Sequence, residues 1–338
     1  MPNTDTPAPA SSRRMLFVMD PLASLALKKD STLAMIRAAA ARGWDVHTCE
    51  QQDLGLHEGE VCVHARSITL RADFAEALDI GVLNGDHRLD NWCQPGDTVH
   101  QPLTRFGVIM MRKDPPFDME YIYSTYLLER AEEAGCQVIN RPQSLRDCNE
   151  KFFATAFADV CPPLIVARRM DDLMAFQRQY RNVVFKQLDG MGGKSVFRVL
   201  DGDANLKVIL ETLTQGEQQQ IMGQLYLPEI ADGDKRILMI DGEPVPYALA
   251  RIPAVGEARG NLAAGGTGEG RPLTDRDRHI AERVGPALKA RGLRFVGIDV
   301  IGDYLTEVNV TCPTCIRELD AQFSLDIAGT LMDRLETV

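Results

Sequence analysis

The sequence predicts an α/β chain that opens on a Rossmann-like sheet and continues into α+β structure. Residues 16–19 form a short apolar run, residues 30–42 repeat apolar side chains with a helical period, and residues 46–48 return to strand character. A strand, a helix and a second strand in this order predict an open sheet, which need not bind a dinucleotide. Later in the chain, apolar runs joined by short turns predict antiparallel hairpins.

The remaining elements follow from the apolar pattern and from the breakers between them. The first part predicts strands at 61–70, 107–111 and 138–140, a helix at 121–134 and a loop-like stretch at 79–102. The second part predicts helices at 149–158, 171–179, 275–291 and 324–335, strands at 164–166, 183–186, 219–225, 236–240 and 245–251, and a structureless loop at 252–271. Arg112 follows the strand 107–111, and open α/β sheets place ligand groups at such carboxyl ends.

A glycine-rich turn follows a β-branched strand within residues 183–194. Lys186 lies near the end of the strand, and three glycines come soon after it. Glycines let backbone N–H groups approach an anionic oxygen and a lysine adds a point charge, so the run is typical of a nucleotide triphosphate site. It is not a Walker A loop, because Leu188 stands where a glycine is required, and it does not spell G-x-G-x-x-G. A plain tight turn is the alternative interpretation.

Two apolar runs, at 295–301 and 305–310, predict a β-hairpin. Because side chains alternate along a strand, Glu307 and Asn309 project from one face. With a three-residue connection Asp299 stands opposite Glu307, whereas a two-residue turn would place it on the other face. Three oxygen-bearing side chains without a histidine suit Mg²⁺, with Mn²⁺ as the alternative ion. A solvated polar face is the competing interpretation, and the apolar character of both runs disfavours it.

Composition and charge limit the class of protein. The chain has 338 residues, 45% of them hydrophobic, which is enough for two or three domains with a core. No apolar run approaches the roughly 20 residues that span a bilayer, and there is no signal-peptide pattern, so we expect a cytoplasmic protein. The net charge of −11 disfavours a nucleic-acid partner. Residues 1–14, rich in Pro, Ala, Ser and Thr, predict a disordered leader.

The cysteines and histidines indicate no metal or disulfide framework. The eight cysteines are irregularly spaced, and Cys312 and Cys315 form a lone C-x-x-C without the second pair of a zinc ribbon. The six histidines have no metal-ligand spacing. An anionic substrate would instead need local positive charge, and the candidates for it are Arg112, Lys113, Lys151, Lys186, Arg236, Arg251 and Arg259.

Six longer segments stand in order along the chain: VMDP at 18–21, MRKDPPFD at 111–118, PQSLRDCNEK at 142–151, DGDKR at 232–236, RGNLAAGG at 259–266 and EVNVTCPTCIRE at 307–318. In sequence and order they resemble the bacterial, prokaryotic-type glutathione synthetase family of the ATP-grasp superfamily. The resemblance covers nearly all of the chain from Met15 onward, and motifs of this length are highly specific. The leader at 1–14 and an insertion near 80–103 depart from the family pattern.

The resemblance implies a fold and a domain organisation. A pre-ATP-grasp, Rossmann-like sheet would precede an ATP-grasp fold of two subdomains. The implied divisions are a leader at 1–14, a substrate-binding domain at 15–143, a lid subdomain at 144–227 and a C-terminal subdomain at 228–338. The last would carry the metal site and a mobile loop at 252–271 that closes over the reacting groups. A homotetramer is also implied.

The resemblance further implies that the chain joins γ-glutamylcysteine to glycine with ATP through an acyl phosphate, giving glutathione, ADP and phosphate. Lys151 and Lys186 would hold the phosphates, and Asp189, Gly190, Met191, Gly192 and Gly193 would cover them. Gln224, Leu225, Tyr226 and Leu227 would frame the adenine, with Asp234 at the ribose. Asp299, Glu307 and Asn309 would hold Mg²⁺. Arg236 and Arg259 would act on the reacting groups, and Asp20, Arg112, Arg251 and Arg259 would bind the substrate.

Two other functions stay open at this point. One is an ATP-grasp ligase for a different peptide or amino-acid pair, because the fold and the ATP site do not determine the acyl substrate. The other is a nucleotide-binding protein without catalysis. The intact trio of Asp299, Glu307 and Asn309 disfavours this last function, since losing metal ligands would be its simplest signature.

Overall fold

A computed structural model describes residues 13–71, 92–193, 195–254, 260 and 265–336. The chain divides into two units, one formed by residues 1–146 with 326–338 and the other by residues 147–325. Most of the predicted leader and part of the predicted insertion lie outside the described residues. Arg14 already belongs to the first strand, so ordered structure begins inside the predicted leader.

The bounds of the elements are as follows. The strands are β1 (Arg14–Val18), β2 (Asp45–Cys49), β3 (Leu54–His57), β4 (Glu60–Leu70), β5 (Cys93–Pro102), β6 (Val108–Met111), β7 (Gln137–Ile139), β8 (Leu164–Ala167), β9 (Val183–Gln187), β10 (Val196–Val199), β11 (Ile221–Leu225), β12 (Asp234–Ile240), β13 (Glu243–Ile252), β14 (Thr267–Pro272), β15 (Phe295–Ile301) and β16 (Tyr304–Asn309). The helices are α1 (Ser31–Ala41), α2 (Met119–Glu133), α3 (Pro142–Asp147), α4 (Met170–Tyr180), α5 (Leu206–Thr214), α6 (Asp275–Ala290), α7 (Ile316–Phe323) and α8 (Ile327–Glu336).

The first unit is built on a sheet in the order β3-β4-β2-β1-β6-β7, with β5 paired to β4. The strands β2, β1, β6 and β7 are parallel, and β3, β4 and β5 join them in antiparallel pairs. The helix α1 begins where Asp30 accepts a hydrogen bond from Leu33 N at 2.9 Å, and Gly43 follows it with a φ of +76°. The Rossmann-like sheet predicted for this region is therefore present.

The last helix packs on the first unit. Arg42, at the end of α1, donates to Asp333 of α8 at 2.7 Å, and the Trp44 indole donates to Glu336 at 3.1 Å. The predicted subdomain 228–338 assigned this helix to the end of the chain's second half. Its charged and aromatic partners, which lie far away in sequence, place it in the first unit instead.

The second unit contains two antiparallel sheets. One has the order β10-β9-β11-β8, and the other has the order β14-β13-β12-β15-β16. The helices α4 and α5 contribute Leu173, Leu210 and Leu213 to a core with Phe185 and Ile221 of the first of these sheets. All five side chains are buried, so apolar contact holds this sheet and its two helices together.

Three segments differ from their predicted structure. The loop-like stretch 79–102 contains the strand β5, and the structureless loop 252–271 contains most of the strand β14. Both strands are polar and lie at sheet edges, so backbone pairing rather than an apolar pattern forms them. The predicted helix 149–158 is reduced to a short 3₁₀ helix at Phe153–Phe157. No helix among the described residues is both long and apolar enough to cross a membrane.

Candidate active site

Asp299 and Glu307 stand opposite each other on the β15–β16 hairpin. The turn between the strands has two residues, Gly302 and Asp303, and not the three that were expected. A β-bulge at Thr306 adds one residue to β16, and the Thr306 hydroxyl donates to the Asp299 carbonyl at 3.1 Å. The predicted turn length is wrong, but the bulge compensates for it, and the predicted pairing of Asp299 with Glu307 is confirmed.

Asn309 completes this face of the hairpin. Its side-chain nitrogen donates to Asp299 Oδ2 and to the Gly297 carbonyl, both at 3.2 Å. The three predicted metal ligands therefore lie together. Among the residues that the structure describes, no group of three His, Cys, Asp or Glu side chains is arranged to hold a metal ion. A metal here would rest on two carboxylates and an amide, with water or phosphate oxygens completing the shell, which fits the oxygen preference of Mg²⁺.

Asp299 is buried between two guanidinium groups. Arg236 donates to it from Nε at 2.5 Å and from Nη2 at 2.9 Å, and Arg251 Nη2 lies 2.9 Å from Asp299 Oδ2. Burial opposes ionisation of Asp299, but the two guanidinium groups outweigh burial and hold the pKa of Asp299 below its ordinary value. Asp299 is therefore a carboxylate at neutral pH. Arg259, which was predicted to act beside Arg236, lies outside the described residues.

Asp234 shares Arg251 with Asp299. Arg251 Nη2 lies 2.5 Å from Asp234 Oδ2. Burial raises the pKa of Asp234 to about 6, against the opposing influence of Arg251. The other carboxylate oxygen, Oδ1, is buried and has no hydrogen-bond partner among the described residues. An oxygen in this state is ready to accept a hydrogen bond from a bound hydroxyl group.

Gly297 explains how Arg236 reaches Asp299. A Cβ atom at Gly297 would lie 2.7 Å from Arg236 Cδ and 3.0 Å from Pro313 Cβ. The side chain of Arg236 therefore crosses β15 over a position that only glycine leaves open. This glycine was not singled out in the sequence, because the need for it depends on the partner strand.

Glu307 binds the two lysines that were predicted to hold phosphates. Lys186 Nζ lies 3.2 Å and Lys151 Nζ 3.7 Å from Glu307 Oε1, and both lysines are buried. Burial opposes ionisation of Glu307, but the two ammonium groups outweigh it, and the pKa of Glu307 lies below its ordinary value. The predicted encounter of the glycine-rich region with the hairpin is therefore present.

The glycine-rich turn, residues 188–193, connects β9 to β10. Gly192 and Gly193 have φ values of +65° and +74°, which glycine adopts at little cost. Lys151 Nζ donates to the Gly190 carbonyl, and the Asn149 side chain donates to the Leu188 carbonyl at 3.1 Å. The predicted covering residues, Asp189, Gly190, Met191, Gly192 and Gly193, are thus tied to the segment that carries Lys151.

The predicted adenine segment, residues 224–227, leaves β11. The backbone N–H of Leu225 donates to Pro163 O at 2.9 Å, and that of Tyr226 donates to Asn182 O at 3.0 Å. Because these two donors are engaged within the protein, an adenine edge would meet Gln224, Leu227 or backbone carbonyls of the segment. The Arg198 guanidinium stacks over the Tyr226 ring at 3.7 Å, which fixes the ring.

Asp20 and Arg112 lie in the first unit, after the neighbouring parallel strands β1 and β6. Asp20 pairs with Lys113 at 2.8 Å and accepts a hydrogen bond from Asp114 N at 2.9 Å. Arg112 is buried and donates to the Thr32 hydroxyl at 3.2 Å. The two predicted substrate residues of this unit therefore both lie just beyond the carboxyl ends of neighbouring strands of its sheet. Arg251 belongs to the other unit.

The sequence interpretation missed two residues beside Lys151. Glu150 accepts from Lys151 Nζ at 2.5 Å, and its backbone carbonyl accepts from Val308 N at 2.8 Å. Asn149 binds the glycine-rich turn. Both stand in the motif PQSLRDCNEK, so their adjacency to Lys151 was visible, but Leu188 and Val308, which they also contact, lie about forty and more residues away in the sequence.

Two solved structures share the fold. D-cycloserine synthetase DcsG aligns with a TM-score of 0.65 at 15% identity, over 95% of this chain and 99% of that chain. The ATP-grasp ligase PsnB, complexed with a minimal precursor, Mg and ADP, aligns with a TM-score of 0.58 at 16% identity, over 96% of this chain and 98% of that chain. At such identities the likeness concerns the fold alone, and it confirms the predicted ATP-grasp architecture.

Curated relatives are much more similar in sequence. A glutathione synthetase of Pseudomonas putida is 58% identical over 96% of this chain and 98% of the relative, and one of Escherichia coli K12 is 52% identical over 95% and 96%. The model of the prokaryotic glutathione synthetase N-terminal domain matches residues 14–146, and that of its ATP-grasp domain matches residues 150–324. The chain therefore belongs to the prokaryotic glutathione synthetase family.

Proposed function

We propose that the protein joins γ-glutamylcysteine to glycine at this site, with ATP as cosubstrate, and releases glutathione, ADP and phosphate. Glutathione synthesis by an ATP-dependent ligase follows from the family. One observation carries the assignment of the site: two carboxylates on one hairpin each contact two basic side chains of the same unit. Alternating charges of this kind suit a metal bound to an anionic triphosphate.

The basic residues would hold the phosphates and the carboxylates would hold the metal. Lys151 and Lys186 now bind Glu307, and each can turn its ammonium donors to phosphate oxygens once a cation neutralises that carboxylate. Mg²⁺, with Mn²⁺ as the alternative ion, would supply charge neutralisation when held by Asp299, Glu307 and Asn309. The unpartnered Oδ1 of Asp234 supports a hydrogen bond from a ribose hydroxyl.

The reaction asks the chain for position and charge rather than for a nucleophile. A carboxylate is a poor acyl donor, so the γ-phosphoryl group of ATP first passes to the cysteinyl carboxylate. The glycine amine then attacks this acyl phosphate and phosphate leaves. Arg236 would neutralise the charge that grows on the transferring group and on the tetrahedral oxygen, as expected for phosphoryl transfer.

The substrate's carboxylates need guanidinium groups, which bind a carboxylate through two parallel hydrogen bonds. We assign Arg112, Arg251 and Arg259 to these carboxylates. Asp20, which lies in the same unit as Arg112, is a further proposed substrate-binding residue. The buried position of Arg112 supports its role, because a buried guanidinium loses less to water when it binds an anion. We propose the cytoplasm as the place of this reaction.

Substrate-dependent ADP release tests the proposed reaction. ADP should form when ATP, Mg²⁺, γ-glutamylcysteine and glycine are all present, and glutathione should form in equal amount. Omission of either amino-acid substrate should reduce ADP release to a background rate. ADP release that requires a different acceptor would favour an ATP-grasp ligase with other substrates. No release with any pair would contradict a catalytic function.

We also propose a homotetramer, and one surface supports self-association. Met119, Tyr123 and Tyr126 form a line on α2, which we call the α2 stripe, and each is about half exposed. A closed two-fold contact joins the same surface of two copies, so the α2 stripe of one chain would meet the α2 stripe of another. A second copy of the chain is therefore the partner that this surface fits.

The variant Tyr123→Glu should weaken the assembly because it buries a charge in the contact. Sedimentation equilibrium should give the wild type a multiple of the 37.4 kDa chain mass and the variant a smaller mass. Val208→Glu, at an equally exposed apolar residue of the second unit, is the matched control and should assemble normally. A wild type of 37.4 kDa would contradict the oligomer, and an unchanged Tyr123→Glu assembly would exclude the α2 stripe.

A further inference from the structure

Asn149 uses both ends of its side-chain amide. The oxygen Oδ1 accepts hydrogen bonds from the backbone N–H groups of Lys151 at 3.1 Å and Phe152 at 2.9 Å, which forms an Asx turn. The nitrogen Nδ2 donates to the Leu188 carbonyl at 3.1 Å. One side chain therefore orients the backbone of Lys151 and also holds the first residue of the glycine-rich turn.

The neighbours of Asn149 extend this connection to the strand β16. Lys151 Nζ donates to the Gly190 carbonyl, and the Glu150 carbonyl accepts from Val308 N at 2.8 Å, one residue beyond Glu307. Residues 149–151 thus contact the glycine-rich turn on one side and β16 on the other. Their backbone sets the distance between the two parts of the site.

Two hydrogen bonds hold the glycine-rich turn, one from Lys151 to the Gly190 carbonyl and one from Asn149 to the Leu188 carbonyl. They differ in how they respond to a bound phosphate. Lys151 carries three N–H donors, and an incoming phosphate competes for them with the Gly190 carbonyl, with Glu150 and with Glu307. The bond from the neutral Asn149 amide to Leu188 is not in this competition. It can hold the turn in place while Lys151 changes partners.

We propose that Asn149 is a positioning residue that keeps the glycine-rich turn in register with Lys151 while ATP binds. The inference rests on the proposed function, because it takes Lys151 and the turn as the phosphate site. Asn149 contacts neither reacting group. It acts through the Leu188 carbonyl and through the backbone N–H of Lys151.

Two variants distinguish the hydrogen bond from Asn149 to Leu188 of the glycine-rich turn from the formation of the Asx turn at residues 149–152. Asn149→Asp keeps the oxygen that accepts from Lys151 and Phe152 but loses the donor to Leu188. Asn149→Ser also keeps an accepting oxygen, adds no charge and is too short to reach Leu188. Both should fold as the wild type does. We expect each to raise the KM for ATP about tenfold, the equivalent of ~1.4 kcal/mol, with kcat changed less than threefold.

Hydrogen exchange of the glycine-rich turn supplies a second readout, which would not change if Asn149 served only to form the Asx turn. Amides of residues 188–193 should exchange faster in both variants, whereas those of the hairpin should be protected as in the wild type. The matched control is Asn205→Asp, since Asn205 is exposed and its side chain caps no helix. It should leave the KM for ATP and the exchange of the turn unchanged.

The outcomes distinguish this inference from the proposed function. Normal KM and exchange in Asn149→Asp and Asn149→Ser, with a loss in Asn149→Ala, would reduce Asn149 to a turn-forming residue and overturn the proposal. Lys151→Gln is the test of the phosphate site itself. If it raises the KM for ATP and the Asn149 variants do not, only the inference fails. If it has no effect, the assignment of Lys151 to the phosphates fails, and the proposal fails with it.

Discussion

Replacement of Glu307 by glutamine is expected to lower kcat about 10³-fold and to leave the fold intact. The amide keeps the shape of the side chain, but it removes the charge that faces Lys151 and Lys186. It also removes one of two carboxylates from the proposed metal site. A bound metal stabilises the charge of a transition state by several kcal/mol. Each loss of about 1.36 kcal/mol of this stabilisation lowers the rate tenfold. ADP release at saturating ATP, measured over a series of Mg²⁺ concentrations, gives the result.

The variant should also need more Mg²⁺ for half-maximal rate. The Glu307 side chain is 23% exposed and glutamine still accepts a hydrogen bond, but Lys151 and Lys186 are buried, so the change should cost about 1–3 kcal/mol of unfolding free energy. Glu269→Gln is the control, since Glu269 pairs with Arg271 at 3.1 Å in an exposed position of β14. Equal rates for wild type and Glu307→Gln would remove Glu307 from the metal site.

Replacement of Asp299 by asparagine is expected to abolish activity and also to destabilise the protein. Asp299 neutralises two buried guanidinium groups, and asparagine would leave Arg236 without its counter-charge and Arg251 with Asp234 as its remaining carboxylate partner. Removing one partner of a buried ion pair costs about 3–5 kcal/mol. Urea denaturation at pH 7 measures the loss of unfolding free energy, which should be larger for Asp299→Asn than for Glu307→Gln.

The pH dependence of this loss has a definite sign. The pKa of Asp299 in the folded protein lies below 3.8, so its ion pairs stabilise the fold fully above that pH and lose their contribution as the pH falls below it. The difference between wild type and Asp299→Asn should thus be largest at pH 5 and above and should shrink towards pH 3. A difference that stays constant down to pH 3 would contradict this account.

The control for Asp299→Asn is Asp241→Asn. Asp241 binds Arg294 through two hydrogen bonds of 2.6 and 3.0 Å, so it forms the same kind of pair away from the site. It is partly exposed and pairs with a single guanidinium among the described residues, and its loss should cost about 1 kcal/mol. The kcat of this variant should equal that of the wild type.

The β15–β16 hairpin shows how much of the site could be predicted from the sequence. Two apolar runs predicted both strands, and the strand period of two placed Glu307 and Asn309 on one face. The place of Asp299 depended on the turn, and the expected turn was one residue too long. The bulge at Thr306 corrected the register, and a bulge cannot be read from one strand, because it is a property of the pairing between two strands.

Polar edge strands and the last helix were harder to predict. β5 and β14 carry few apolar side chains, so the pattern that identifies buried strands is weak there. The helix α8 was found in the sequence, but the surface on which it packs was not. Its amphipathic pattern shows that it packs on something, and only the contacts with α1 show on what.

The sequence by itself determined the elements of the site: a lysine before a glycine-rich turn, two carboxylates and an amide on a hairpin, and motifs long enough to indicate the family. These features depend on local periodicity, on backbone freedom and on residue chemistry, which act over a few residues. Only the tertiary structure decided which charges meet. Lys186 and Glu307 are 121 positions apart, and Arg236 reaches Asp299 only across Gly297. Such contacts arise from the packing of whole sheets, because burial and strand pairing bring distant side chains together after the local elements have formed.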